Sequence, residues 1–573
     1  MAPVMPHISA PVRAMRFGAW LCIAACLSGC VSAAQASAPT LATGIVFEDL
    51  DGNRQRDAGE PGIAGVMVSN GVQVTVTDAQ GGWTLPASQD ETIFVIAPGG
   101  WASPVSGQQV PQFYYLHRQH GSPDLKYPGI DATGPLPQSI DFPLRRQAEA
   151  EEARILLIAD PQPHHSVHID YYRQRFVEPL AGRRDFEFGL VLGDVVRNDL
   201  GLFEPYLEAN AGMPGAMFHV AGNHDLNFDT AEAYSTETYQ RYFGPTNYGF
   251  FHGASQTFFL VLNNIRTPLE DGSGQAYRGG LSEDTLAFAR NVLAHVPQDQ
   301  RVIVAAHIPF FPENGDIEPE AEQERAALFE TLKPFRQVLI LSGHTHMQRH
   351  FRVSDPHIWQ GKAPLHQWVV GTASGAWWTG APDADGLPES LMRDGTPPGY
   401  GILILTNADY RMDYQVAGAP ADFQMRLHAP RHMTTHERDV PLYVNVFNGD
   451  ADTTVQVRYL PDGDWRSLSP VVSVDPFYKS QTLLRDLSPE RLPGSRPPPA
   501  ALSHHLWYAR LPTTLPPGRH AFEVRAIDAW GREWTERFEI EAHAPDYPYG
   551  RITPEQVSAY RQIESKPQER SEP

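Results

Sequence analysis

The chain has 573 residues, room for three or four domains, and carries 67 Asp and Glu against 45 Lys and Arg, a formal charge of −22. Only five of the bases are lysine (Lys126, Lys333, Lys362, Lys479 and Lys566) and no basic block occurs, which argues against a dedicated nucleic-acid binder. An apolar content of 42% and a mean hydropathy of −0.35 argue against disorder and against a multi-span membrane protein, while 51 prolines, well above the usual ~5%, favour loop-rich, β-rich architecture.

The three cysteines are Cys22, Cys26 and Cys30. A disulfide scaffold, a cysteine zinc site and a cysteine nucleophile are therefore excluded for residues 31 to 573. Arg13 and Arg16 precede an apolar stretch, Phe17 to Leu27, too short to span a bilayer. It reads as an export signal, and it ends in Leu27-Ser28-Gly29-Cys30, which resembles the lipobox of bacterial lipoproteins. The resemblance implies cleavage of residues 1–29 and lipidation of Cys30. An ordinary exported protein cut after Ala36 is the alternative. Val31 stands where an inner-membrane retention signal would place Asp, so the resemblance implies sorting to an outer membrane, facing the periplasm or the surface. Losing residues 1–29 removes two arginines and no acid, so the mature chain is more acidic still. Residues 30–41 read as a tether.

Residues 42–148 show short alternating apolar runs split by Gly, Asn, Asp and Pro, with a hairpin expected around Asn70-Gly71. Arg145 to Arg154 reads as a linker. Over 149–415, continuous apolar runs alternate with helical stretches such as Asp284 to His295 and Glu320 to Leu332, the pattern of an α/β core with buried strands. From 416 to 545 β-type runs return (Pro441–Phe447, Thr454–Leu460, His505–Leu511, His520–Ile527), suggesting a second β-domain. Residues 546–573 read as a loose tail with a short helix from Thr553.

Five apolar runs of the middle region each end in groups able to hold a metal. Ile155–Ala159 leads to Asp160-Pro161-Gln162, Phe188–Leu192 to Gly193-Asp194, and Ala216–Ala221 to Gly222-Asn223-His224-Asp225. Val302–Ala306 leads to His307, and Val338–Ser342 to Gly343-His344-Thr345-His346. Open α/β sheets bind ligands at the carboxyl ends of their strands, so these ends can converge. Gly193, Gly222 and Gly343 would permit close backbone approach there. One such pair means little, but five in order point to one centre.

The order D-x-Q, GD, GNHD, H, GHxH resembles the calcineurin-like metallophosphoesterases, and D-P-Q resembles one bacterial branch of them. Phe243-Gly244-Pro245, Phe258 to Asn264, Gly375-Ala376-Trp377-Trp378 and Asp394 to Tyr400 also resemble segments of that branch. The resemblance implies an α/β fold, a four-layer sandwich flanked by N-terminal and C-terminal β-sandwich domains. It implies one metal on Asp160, Gln162 and His346, a second on Asn223, His307 and His344, and Asp194 bridging the two. His224 stays free to stabilise charge or protonate the leaving oxygen. Imidazole, carboxylate and amide donors without thiolate suit Mn, Fe or Zn. A pair of such ions would polarise a phosphoryl group and activate a water for in-line attack. Gln162 stands where many members carry His, so the first ion would be held less tightly. The expected activity is hydrolysis of a phosphate monoester or diester, with phosphoprotein, diphosphate or nucleotide substrates as alternatives. A non-catalytic surface binding lipoprotein is the rival of another class.

Weaker signals accompany these. Trp377 and Trp378 are candidates for the substrate mouth, and His164, His165 and His168 follow the first motif closely enough to touch phosphate. Asp49, Asp51, Asn53, Gln55, Asp57 and Glu60 have calcium-loop spacing, with Arg54 at the position usually held by Gly.

Overall fold

The computed structural model describes residues 40–267, 276–312, 317–435, 439–512 and 515–544. The export signal, Cys30, most of the tether and the tail after 545 lie outside these residues. No helix among the described residues is long and apolar enough to cross a membrane.

Eight strands build the N-terminal domain: β1 (Leu41–Glu48), β2 (Met67–Ser69), β3 (Val74–Val76), β4 (Gly82–Pro86), β5 (Asp90–Ile96), β6 (Trp101–Ala102), β7 (Tyr114–Arg118) and β8 (Phe142–Arg146). They form two four-stranded sheets, β4-β1-β8-β6 and β3-β2-β5-β7. The expected hairpin is β2–β3, with Met67 opposite Val76 and Gly71 at φ 89°. The linker is shorter than its charge suggested. Arg145 and Arg146 are the exposed end of β8, where Arg146 pairs with Glu48 and covers the Trp101 ring. Arg154 already lies in β9. Charged residues on the outer face of a strand read like a linker when only polarity is seen.

The core follows as β9 (Ala153–Ile158), α1 (Ser166–Tyr172), α2 (Glu178–Leu180), β10 (Phe188–Val191), α3 (Phe203–Asn210), β11 (Met217–His219) and α4 (Glu237–Phe243). Next come β12 (Tyr248–His252), β13 (Thr257–Val261), β14 (Ile265–Arg266), β15 (Arg278–Gly279), α5 (Glu283–Leu293), β16 (Arg301–Ala305), α6 (Pro319–Leu332) and β17 (Gln337–Ser342). The last core strands are β18 (Arg349–Val353), β19 (Leu365–Val369), β20 (Gly399–Leu405) and β21 (Tyr410–Val416). One sheet runs β11-β10-β9-β20-β21 and the other β12-β13-β16-β17-β19-β18. Within them β11, β10 and β9 are parallel, as are β13, β16, β17 and β19. Alternation along β9 sets the layers. Ile155 and Leu157 join the core shared with Val261, Val304 and Trp368 of the other sheet. Leu156 and Ile158 instead join Ile169, Phe176 and Leu207 of the outer helices. On the far side Phe288 and Val292 of α5 and Leu328 and Leu332 of α6 cover the second sheet. The result is four layers: helices, sheet, sheet, helices.

The C-terminal domain pairs a sheet β22-β24-β28-β27 with a sheet β23-β30-β29-β25-β26. Its elements are β22 (Met425–His428), β23 (His432–Thr434), β24 (Pro441–Val446), β25 (Thr454–Tyr459), β26 (Arg466–Ser467), β27 (Ser469–Val474), α7 (Pro476–Leu487), β28 (Leu502–Arg510), β29 (Gly518–Ile527) and β30 (Glu533–His543). Two elements escape the sequence pattern. Helix α7 begins with Pro476 behind Asp475, whose side chain accepts from Tyr478 N at 2.7 Å. Yet it leaves Leu483, Leu484 and Leu487 exposed, so no core-facing stripe announces it. Strand β30 carries four acids, Arg537 and His543, and buries little besides Ile540 and Ala542.

Candidate metal centre

Each expected group follows a strand end on the same edge of the sandwich. Asp160 lies two residues after β9, Asp194 three after β10, Asn223 four after β11, His307 two after β16 and His344 two after β17. Because β9, β10 and β11 are adjacent in one sheet and β16 and β17 in the other, five distant segments meet across the sandwich. The chain turns sharply to present them. Asp160, Gln162, Asp194, His344 and His346 all have positive φ, between 44° and 76°. Such left-handed conformations are uncommon for residues with a side chain, and they cluster where function demands them. Close approach explains two glycines. A Cβ on Gly222 would sit 1.9 Å from the backbone nitrogen of Asp194, and one on Gly193, at φ 92°, would sit 2.4 Å from the His307 ring.

The side chains converge. Asp194 Oδ1 lies 3.3 Å from His307 Nε2, which is 3.1 Å from Asn223 Oδ1 and 3.3 Å from His344 Nδ1. Gln162 Nε2 donates to Asp194 Oδ2 at 2.8 Å, and His346 Nε2 lies 3.6 Å from Asp160 Oδ1. Two rings are aimed by their other nitrogen: His307 Nδ1 donates to Leu192 O (2.8 Å) and His346 Nδ1 to Gly375 O (2.5 Å). Each thereby turns Nε2 to the centre. His224 stands at the rim, a quarter exposed, with Nε2 4.0 Å from Asp194 Oδ2.

Electrostatically the cluster is incomplete. Asp160, Asp194 and Asp225 are fully buried, and among the described residues none forms an ion pair with Lys or Arg. Burial, with the neighbouring Asp194 charge, pushes Asp160 up to about 8 and Asp225 to about 7. Burial opposes the Asp194 charge too, but His307, His224 and His344 outweigh it and hold that carboxyl below its usual range. Against its own burial, Asp194 raises His307 to about 9. Burial drives His344 to about 3 and His346 to about 4, keeping those rings neutral.

Comparison with known proteins decides the family. Residues 153–348 match calcineurin-like phosphoesterase, residues 49–127 the N terminal of calcineurin-like phosphoesterase, and residues 367–534 the C terminal of calcineurin-like phosphoesterase. The chain belongs to the calcineurin-like phosphoesterases. Its reaction class is hydrolysis of phosphoric ester bonds. No curated protein matches it. Among solved structures it is similar to a purple acid phosphatase, PPD1, isolated from yellow lupin (Lupinus luteus) seeds. That match has 12% identity, 66% of this chain and 67% of the other covered, and a TM-score of 0.33. The C-terminal match starts inside the core, at β19, and so includes β20 and β21 of the first sheet.

The divalent ions implied by this phosphoesterase family fit the residues present. Among the described residues Gln162 Oε1 is buried without a hydrogen-bond partner, a state the fold tolerates poorly unless something else, such as a cation, engages that oxygen. Asp194, His307 and His344 bring donor atoms within 4.8 Å of one another. The donors are all nitrogen and oxygen, a set suited to Mn, Fe or Zn.

Sequence reasoning left three supporting groups of the phosphoesterase without a role. Asp225 accepts from the backbone nitrogens of Gly222 (2.8 Å), Val195 and Val196 (3.1 Å each), so it stitches the second motif to the third. Asn198 Oδ1 faces His224 Nδ1 at 2.6 Å. Gly375 supplies the carbonyl that orients His346. Only Asp225 carried a signal, as the last letter of GNHD.

The weaker expectations divide. Trp377 lies at the mouth, its ring 4.3 Å from that of His346, with the Arg197 guanidinium 5.8 Å away. Trp378 does not line it. That indole is buried and donates to Pro161 O at 2.9 Å, so it braces the first motif from behind. His164 and His165 are exposed and stacked at 4.7 Å, and His168 packs toward Trp378. In the acidic loop Asp49, Asp51 and Glu60 bring carboxylate oxygens within 4.8 Å of one another. Asp49 accepts from Gly52 N and Arg54 N, and Glu60 from Leu50 N and Asp57 N. Asn53 bonds to Asp51 and Asp57, and Gln55 joins only through its backbone nitrogen. Arg54 takes φ 66°, the conformation for which glycine is usual.

Proposed function

We propose that this calcineurin-like phosphoesterase is a two-metal phosphomonoesterase of the D-P-Q branch, acting outside the cytoplasm. The observation that carries the reading is the convergence of Asp160, Gln162, Asp194, Asn223, His307, His344 and His346, with the buried Gln162 Oε1 unpartnered among the described residues. Asp160, Gln162 and His346 would hold one ion and Asn223, His307 and His344 the other, with Asp194 between them. When bound, such a pair supplies the positive charge that polarises a phosphoryl group and lowers the pKa of water.

The remaining chemistry belongs to the chain. His224 Nδ1–H donates to Asn198 Oδ1, which fixes the ring and leaves Nε2 to carry a proton to the leaving ester oxygen. Burial lowers the His224 pKa, and the Asp194 charge offsets part of that fall. Arg197 is half-buried at the same mouth, beside Trp377, and forms no ion pair among the described residues. A guanidinium so placed complements the second negative charge of a monoester, which a diester lacks. On an acidic surface, that local charge is what captures phosphate.

Lipidation at Cys30, after a signal of Arg13, Arg16 and Phe17–Leu27, accounts for an exported, membrane-anchored enzyme. Metabolic labelling with a fatty acid, lost in Cys30→Ala, checks that part. The activity is tested by assaying metal-replete protein on a chromogenic monoester and its diester counterpart. Monoester turnover should dominate, with Arg197→Ala raising KM for the monoester alone. Diester preference overturns the monoesterase reading. Metal-replete protein inert on both, and on phosphopeptide, diphosphate and nucleotide panels, would make it a binding lipoprotein instead.

A further inference from the structure

Far from the strand-end centre in the chain, the C-terminal domain gathers a second set of metal-ligating groups. His432 sits in β23, and Glu541 and His543 near the end of β30. The two strands are parallel neighbours with His432 opposite Glu541 and Thr434 opposite His543. Strand alternation sorts their side chains. Met433 and Ala542 point into the domain core and are essentially unexposed. His432, Glu541 and His543 therefore share the outer face. His432 Nδ1 lies 3.1 Å from His543 Nε2 and 3.9 Å from Glu541 Oε2. One donor atom from each residue falls within 4.8 Å of the others. The two rings are nearly parallel, with centroids 5.3 Å apart.

We propose that His432, Glu541 and His543 form a zinc site, separate from the catalytic centre, that ties β23 to β30. Tetrahedral zinc with bonds of about 2.0–2.1 Å brings its ligand atoms to roughly 3.3 Å of one another. The imidazole nitrogens already stand at that separation, and the carboxylate, on a side chain about half exposed, needs only a small rotation. Two imidazoles and one carboxylate are a donor set zinc takes readily. Magnesium and calcium, which prefer all-oxygen shells, suit it poorly. The strand pairing explains what the ion would do. β23 has three residues and, among the described residues, pairs with β30 at the sheet edge, and a cross-strand ion adds a constraint to so short a ladder.

The site is tested on the full chain by zinc stoichiometry after gel filtration and by thermal unfolding with and without zinc. In the Asp194→Asn background, where the catalytic pair is removed, one tightly held zinc should remain and His543→Ala should abolish it. In the otherwise unaltered chain, His432→Ala with His543→Ala should lose one equivalent, keep kcat on the chromogenic ester, and lose a zinc-dependent rise in Tm. Glu541→Gln should weaken zinc at least about tenfold in chelator competition. Tm in EDTA is measured for each variant, so that the zinc-induced rise is read separately from any change in the metal-free fold. Equal zinc content and equal zinc-induced Tm shift in parent and His543→Ala overturn the proposal. Failure of the catalytic reading would instead show as unaltered activity in Asp194→Asn, which leaves this site untouched.

Discussion

Two clusters of buried histidine lie on either side of Met347, and they are built for opposite ends. Before it, His344 and His346 enter the strand-end centre. After it, Gln348 and His350 enter the contact between the core and the C-terminal domain. In the second cluster every ring nitrogen has a protein partner. His350 bonds to His366 (2.9 Å) and Asn448 (3.0 Å), and His366 to the Tyr410 hydroxyl (2.8 Å). His505 bonds to Asn445 (2.8 Å) and Asp394 (3.1 Å). Asp394 also accepts from Gln348 N (2.8 Å) and Thr396 N (2.9 Å). In the first cluster Gln162 Oε1 has none among the described residues. A closed polar network spends its hydrogen bonds on rigidity, and an open one keeps donors for a ligand. The same residue type thus serves stability in one place and binding in the other.

The largest effect should come from breaking the open cluster at its centre. Asp194→Asn removes the one carboxylate that reaches His307 and Gln162 together. Elemental analysis should show loss of both strand-end ions, and turnover should fall to background. His224→Ala should behave differently. It takes away a rim group that contributes about 10²–10⁴-fold as a proton donor, so kcat should drop by that order while the metal content persists. Metal loss in this variant would contradict the rim placement.

Breaking the closed cluster should cost stability first. His505→Ala takes one of its three hydrogen-bond donors from the buried Asp394 carboxylate, and a hydrogen bond to a charged group is worth about 1.5–3 kcal/mol. Denaturant unfolding should show that loss, with activity lowered only about 10–100-fold because Gln348, held by Asp394, lies two residues from His346.

Acid should act on the closed cluster through its histidines. Burial pushes His350 down to about 4, against Asp450 and Asn448, and pushes His366 well below its ordinary value. Since both fold with pKa values below 6.5, the unfolded chain binds more protons between 6.5 and about 4. Stability from these rings is therefore full above pH 6.5 and lost as pH falls through that window. Tm at saturating metal should decline there, and the decline should be shallower in His350→Asn. An equal slope in both proteins would place the sensitive groups elsewhere.

The contrast also shows what a sequence can and cannot say. The ligands were readable because each follows a continuous apolar strand by two to four residues, a local pattern that survives without tertiary information. The closed cluster was not, since His350 and His366 meet only by the pairing of β18 with β19, and they join His505 of β28, through Asn448, Gln348 and Asp394, only where two domains dock. Asn198 and Gly375 went unassigned for the same reason: each acts through one bond to a ring far along the chain. Helix α7 and strand β30 hid because neither buries a regular face, and periodicity reports burial before it reports conformation. Trp378 was misplaced because adjacency to Trp377 suggested a shared role, whereas two consecutive residues at φ near 58° turn the rings to different surroundings.

The smallest expected effect lies at Gln162, the position where the open cluster departs from the commoner pattern. Its amide donates to Asp194 Oδ2 and leaves Oε1 for an ion. Imidazole is the stronger donor to Mn, Fe or Zn, so Gln162→His should tighten the first ion in chelator competition. Two terms limit the gain. The substitution gives up the 2.8 Å bond that orients Asp194, and it must accept φ 44°, a conformation in which His is found more often than most residues. The net rise in affinity should stay near tenfold or below, with kcat changed by a few-fold at most. A fall in affinity instead would mean that the amide's hold on Asp194 outweighs its weakness as a ligand. Gln162 would then belong to the logic of the closed cluster, positioning through a hydrogen bond, although it stands in the open one.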